Sequence, residues 1–147
     1  IPGAGLWPGF VKNESEQFEA RFSQVHVLRS NSVVLSDMVG SLLPIVVSHG
    51  EGRVDADEER LARLGEAGLT AMAFTDQQRA PATRYPMNPN GSPGGLTAVT
   101  SDDGRALAMM PHPERAFRSI QWSWRPDSLG EYSPWFALFL SAAKQFN

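Results

Sequence analysis

The chain has 147 residues, 41% of them apolar and 10% aromatic, enough for one domain with a buried core and too apolar for a disordered chain. Its 13 Lys and Arg against 16 Asp and Glu leave a formal net charge of −3, and without a clustered basic run this argues against a nucleic-acid partner. The sequence has no cysteine, no apolar run of bilayer length and no signal-peptide pattern, so disulfides and thiolate metal sites are excluded within it, no membrane contact is expected, and a cytoplasmic location is the expectation.

The first 13 residues place Pro2, Gly3, Gly5, Pro8 and Gly9 around Leu6, Trp7 and Phe10, which predicts an irregular segment pinned by bulky side chains. Phe18, Ala20 and Phe22 then alternate with Glu19 and Arg21, the period of a half-buried strand, and Val25 and Val27 continue on the opposite parity. A bulge or turn near Ser23 would reconcile the two halves. His26 lies on the second half, where a lone histidine reads as a partly exposed strand residue.

Leu42 to Val47 is a short continuous apolar run, the pattern of a strand buried on both faces, and it ends in Ser48-His49-Gly50-Glu51-Gly52. In open α/β sheets ligands bind beyond the carboxyl ends of strands, where glycines allow close backbone approach. The same residues equally fit a strand-to-loop turn with a solvated His and Glu. Asp57 to Gly68 predicts a helix, with Asp57 as cap, Glu58 and Glu59 in the first turn, Gly68 at the end, and Leu61 and Leu64 facing inward. Leu69 to Thr75 predicts a strand, and Thr83 to Gly95, rich in Pro, Asn and Gly, a long loop.

Leu96 to Thr100 and Arg105 to Met110 flank Asp103-Gly104, a hairpin signal that delivers the second strand into Pro111-His112-Pro113-Glu114-Arg115. Residues i and i+2 of an extended segment share a side, and Pro113 biases His112 away from the α region, so His112 and Glu114 are expected to project together beyond the strand end. An imidazole with an orienting carboxylate is two thirds of a nucleophilic triad. A strand-end polar pair is the alternative. The following Phe117, Ile120, Trp122 and Trp124 read as packing residues. The last helix is expected to be capped by Ser133, with Pro134 at its first position and Phe136, Phe139, Leu140 and Ala143 as its apolar stripe over the sheet. One domain of α/β class with an antiparallel hairpin and a C-terminal helix is the expected architecture.

Pro111-His112-Pro113-Glu114-Arg115 resembles the triad segment of class I glutamine amidotransferases. Further stretches, Leu6-Trp7-Pro8, Phe10-Val11 with Asn13, Phe18-Glu19-Ala20-Arg21-Phe22, Pro44 to Arg53, Asn88-Pro89-Asn90-Gly91-Ser92 and Ser133-Pro134-Trp135, are similar from end to end to the amidotransferase domain of the large, single-chain bacterial phosphoribosylformylglycinamidine synthase family. This resemblance implies a partial flavodoxin-like sheet and glutamine as substrate. It implies His112 and Glu114 as catalytic residues, and Ser48, His49 and Gly50 beside the glutamine site, with no metal.

In that family the nucleophile is a cysteine on a strand-to-helix elbow shortly upstream of the point matching Ile1. Residues 1–147 are thus expected to be the C-terminal portion of an amidotransferase domain, inactive alone. The partners implied are synthetase domains of the same parent chain, which use ATP and magnesium in purine biosynthesis, and no cofactor is implied within this segment. The alternative is a catalytically inert α/β module that binds a partner domain.

Overall fold

The computed structural model of the chain describes residues 1–146. Seven strands form two sheets. The first is a ribbon of β1 (Gly9–Lys12) and β4 (Glu51–Asp55). The second has five strands in the order β3 (Leu42–His49), β2 (Glu19–Val27), β5 (Thr70–Phe74), β6 (Leu96–Thr100) and β7 (Leu107–Met109). Every strand pair among the described residues is antiparallel. The sheet curls until its two ends touch. Beyond β7, His112 forms a bridge with Val46 of β3, its N–H donating to the Val46 carbonyl at 2.8 Å.

Directly opposed residues of an antiparallel ladder point to the same face. Val25 opposes both Leu43 and Phe74, and Met72 opposes both Val27 and Ala98. One face therefore carries a single core, completed by Ile45, Val47, Leu35, Met38, Ala116 and Trp135. The second core gathers Val54, Leu64, Leu69, Leu96 and Val99 under Leu6, Trp7 and Phe10. The helix that supplies Leu64, α1 (Glu58–Glu66), starts as the sequence requires: the Asp57 carboxylate accepts the Arg60 N–H at 2.8 Å, and Gly68 takes φ 69° just past the end. The long loop and the β6–β7 hairpin also fall where expected.

Several expectations are corrected. Gly9–Lys12 is a strand, because β4 offers it a ladder that the local sequence cannot reveal. Strand β2 has no bulge: its pairing runs unbroken from Glu19 opposite His49 to His26 opposite Leu42. Its inward residues are Glu19, Ser23, Val25 and Val27, while Phe18 and Phe22 are 65% and 37% exposed. The inward charge is compensated, since Glu19 meets Arg21 at 2.7 Å and accepts from the Ser15 hydroxyl at 2.8 Å. Strand β3 alternates, burying Leu43, Ile45 and Val47 and leaving Leu42, Pro44 and Val46 half-buried. Antiparallel pairing on one edge suits this pattern better than burial on both faces.

The helix α2 (Phe136–Ala143) starts two residues later than expected, with Trp135 rather than Ser133 at its cap position and no side-chain cap, and the Ser133 hydroxyl accepts the Trp135 N–H at 3.2 Å ahead of it. Its apolar stripe is another matter. Trp135 is fully buried and donates its indole N–H to the Pro44 carbonyl at 2.7 Å, and this fixes the rotation of the helix. Leu138 and Ser141, three and six positions on, turn inward with it, leaving Phe139 and Leu140 39% and 49% exposed. Phe136 and Phe139 instead pack on Phe117, with ring centroids at 6.3 and 5.7 Å. Of the aromatic-rich stretch, Phe117 and Trp122 join the core and Ile120 and Trp124 face solvent. Because Trp135 both fills the core and anchors α2 to β3, Trp135→Ala is expected to lower stability by about 3–5 kcal/mol, measured by urea unfolding; a loss below about 1 kcal/mol would show that the anchor is dispensable.

Candidate active site

His112 is positioned by two neighbours at once. Strand β7 ends at Met109, and after Met110 and Pro111 the chain reaches β3, where the His112 N–H bonds Val46. The continuation is not the extended strand end expected. Pro113–Arg115 make one 3-10 turn, with Pro113 at its first position, where a missing N–H leaves nothing unsatisfied and the fixed φ suits the turn. This turn swings the Glu114 carboxylate back onto its own neighbour, and Glu114 Oε1 lies 2.7 Å from His112 Nδ1. The pair therefore meets, as the sequence reading requires, but through a turn rather than through strand alternation.

An ionised carboxylate can only accept. The hydrogen of the neutral ring thus sits on Nδ1, and Nε2 keeps its lone pair, the arrangement of a general base held in one tautomer. The pair stands at the surface, the side chains 28% and 54% exposed. Arg115 ties the turn down: its Nη1 donates to Ser48 Oγ on β3 at 2.9 Å, and its Nε lies 3.8 Å from Glu114. Ser48 is therefore a tether of this turn as well as a neighbour of the site.

His49 lies on the other side of His112, ring centroids 6.2 Å apart. It is held from beneath by two amides. Asn13 Nδ2 donates to the carbonyls of Gln17 and of His49 itself, both at 2.9 Å, and its Oδ1 accepts from Asn90 Nδ2 at 2.7 Å. The same Asn90 nitrogen lies 2.9 Å from His49 Nε2. Both asparagines are buried, at 1% and 0% exposure. Burial is the main cause that pushes the His49 pKa below its ordinary value, and the charge of His112 acts in the same direction. Gly50, the third residue expected beside glutamine, gives its carbonyl to the Asn13 N–H at 2.9 Å and has open space where a side chain would stand.

Asn13, Asn90 and Arg115 make contacts at the candidate site that sequence reasoning did not assign to them, and Gly52, read there as a point of close backbone approach, lies against His49 and Asn90. They lie in or beside stretches carrying the family resemblance, yet the Asn13–Asn90 contact joins positions 77 apart, and no local signal announces it. No group of three or more His, Cys, Asp or Glu suited to a metal ion occurs among the described residues. A cleft of about 650 Å³, lined by residues including Gly5, Asp55, Asp57 and Arg60, contains none of the residues above.

Gly52 marks how tightly the His49 ring is seated, because a Cβ there would strike both His49 Nε2 and Asn90 Nδ2. Gly52→Ala is expected to cost about 1–3 kcal/mol and to shift the ring resonances of His49, checked by urea unfolding and histidine NMR. Unchanged stability and resonances would refute the contact.

Over residues 1–146 the chain matches the family described as the CobB/CobQ-like glutamine amidotransferase domain. Among solved structures it is similar to a chain of PurLQS from Thermotoga maritima, with a TM-score of 0.65 at 19% sequence identity. The match covers 95% of this chain and 53% of that one, so the chain spans about half the length of that relative. At this identity the likeness speaks for the fold alone, and it agrees with an α/β domain carrying part of the class I amidotransferase architecture. The family match extends over nearly the whole sequence, and the chain belongs to the CobB/CobQ-like glutamine amidotransferase domain family.

Proposed function

We propose that the chain is the C-terminal portion of the glutaminase domain of a phosphoribosylformylglycinamidine synthase, in which ammonia from glutamine serves the ATP-dependent amidation of formylglycinamide ribonucleotide by synthetase domains of the parent. The observation that carries this reading is the 2.7 Å contact between His112 Nδ1 and Glu114 Oε1, which leaves Nε2 as the base. The family match and the similarity to PurLQS support the same reading. The synthetase chemistry, with its ATP and magnesium, belongs to the parent.

In this mechanism the nucleophile is a cysteine from outside these residues, since the sequence contains none. His112 Nε2 takes the thiol proton, the thiolate attacks the glutamine carboxamide, and His112 returns the proton to the departing ammonia. Water then hydrolyses the thioester. Glu114 holds the ring in its tautomer and stabilises the imidazolium that forms in between. Ser48, His49 and Gly50 are the residues that would face glutamine: His49 lies beside this base, Ser48 holds the turn through Arg115, and Gly50 follows them in the chain.

A second reading is favoured by one observation, the absence of cysteine from the 147 residues: a catalytically inert α/β module that docks on a partner domain. The coding sequence upstream of Ile1 separates the two. A Gly-x-Cys-x-Gly-like elbow supports the glutaminase, and its absence supports the module.

In the parent, His112→Ala is expected to lower glutamine-dependent synthesis by at least about 100- to 10,000-fold while ammonia-dependent synthesis persists, because the synthetase needs only the ammonia. Loss of both activities together would point to a folding role. The isolated chain is expected to release ammonia from glutamine no faster than a buffer blank, once circular dichroism has verified that it is folded. Saturable release that disappears in His112→Ala would refute the need for an external thiol.

A further inference from the structure

The two rings beside each other at the site are not equivalent, and the hydrogen-bond inventory says why. Asn13 Nδ2 faces two backbone carbonyls, which only accept, so its amide orientation is fixed and its Oδ1 must be the acceptor towards Asn90. That in turn fixes Asn90, whose Nδ2 has a second hydrogen directed at His49 Nε2. A nitrogen receiving that hydrogen cannot carry one of its own. With Asn90 as the donor, His49 is held neutral with its proton on Nδ1, a buried atom with no hydrogen-bond partner; burial is the largest cause that lowers its pKa, and the Asn90 contact would raise it only if the Asn90 oxygen faced Nε2, the orientation that Asn13 opposes.

We propose that Asn90, oriented by Asn13, is a positioning residue that holds His49 as a neutral, Nδ1-protonated ring beside His112, leaving His112 the one ring at this site that takes up a proton. A cationic His49 with its ring centroid 6.2 Å away would oppose formation of the His112 imidazolium, since a like charge at such distances disfavours the charged form. The other charges around the pair are accounted for. Glu19, opposite His49 across the β2–β3 ladder, favours a charged His49 but is neutralised by Arg21 at 2.7 Å. Glu114 faces His112 at 2.7 Å, and Arg115 is turned to Ser48 and Glu114. The lone pair of Nε2 is committed to Asn90, so protonating His49 requires Asn90 to turn over and abandon Asn13. This inference rests on the reading of His112 as the base, and it deepens that reading by assigning the neighbouring amides a part in it.

The test reads ring nitrogens rather than ammonia, so its failure is distinguishable from failure of the glutaminase reading. Long-range ¹H–¹⁵N spectra of the chain, which has three histidines, are recorded from pH 8 to pH 5. His49 is expected in the neutral Nδ1–H form at pH 7 and still neutral where His112 takes its second proton. A doubly protonated His49 at that point, or a proton on Nε2, overturns the proposal. Asn90→Asp replaces the donor with an acceptor and is expected to raise the His49 titration by about one pH unit or more; an unmoved titration in a folded variant counts against the lock. If that variant fails to fold, His49→Gln decides. It keeps a neutral acceptor at the same place, so the His112 titration is expected to stay where it is, and a rise beyond the error of the measurement shows that His49 had been charged in the native chain.

Discussion

The placement of the candidate site depends on one backbone hydrogen bond, from the His112 N–H to the Val46 carbonyl. Five antiparallel strands leave two ends, β3 and β7, and the chain beyond β7 folds back to reach β3 through that bond. His112 stands at the seam. Its backbone belongs to the closure, its ring is oriented by the 3-10 turn that follows, and the turn is fastened to β3 by Arg115 and Ser48. Each device answers a different degree of freedom. The bond sets where the ring stands, the carboxylate of Glu114 sets its tautomer, and the arginine sets the tilt of the turn.

How far the sequence discloses this depends on the range over which each feature is determined. Elements governed by a few neighbouring residues were legible. The Asp57 cap, the Gly68 terminus, the β6–β7 hairpin and the His112–Glu114 contact all follow from local sterics and capping chemistry. Even there the route differed, because Pro113 is as well suited to starting a 3-10 turn as to extending a strand. Features decided at long range were misread. The parity of β2 is set by what lies above and below it, and the sequence could not show that Glu19 and Arg21 would neutralise each other on the inward side. The face of α2 is set by the single indole hydrogen bond to Pro44, a contact 91 positions apart, which outweighs the stripe that periodicity alone suggests.

The same contrast runs through the site. Histidine and glutamate advertise chemistry, whereas Asn13, Asn90 and Gly52 do not, and yet it is they that seat His49. Buried amides are stabilised when their hydrogen bonds are met, and here the four side-chain N–H groups of the two asparagines each face an acceptor, while Asn90 Oδ1 is buried with no partner. Gly52 contributes by what it lacks, since any side chain would occupy the volume of the ring and the amide. Family membership supplies the chemical context for His112 and Glu114, but the placement of these quiet residues comes only from the folded chain.

The seam between β3 and the segment after β7 also bears on folding. Arg115 and Ser48 are 67 positions apart, and every ladder of the sheet but the short β6–β7 hairpin joins distant parts of the chain. Closing such long loops before any contact rewards them places the domain among slow, topologically demanding folders. The two sides of the seam lie at opposite ends of the order β3-β2-β5-β6-β7, so a slip of register in any ladder between them displaces one side from the other. The alignment of the His112 ring with its neighbours on β3 thus registers the pairing of the whole sheet, which the amount of strand alone does not.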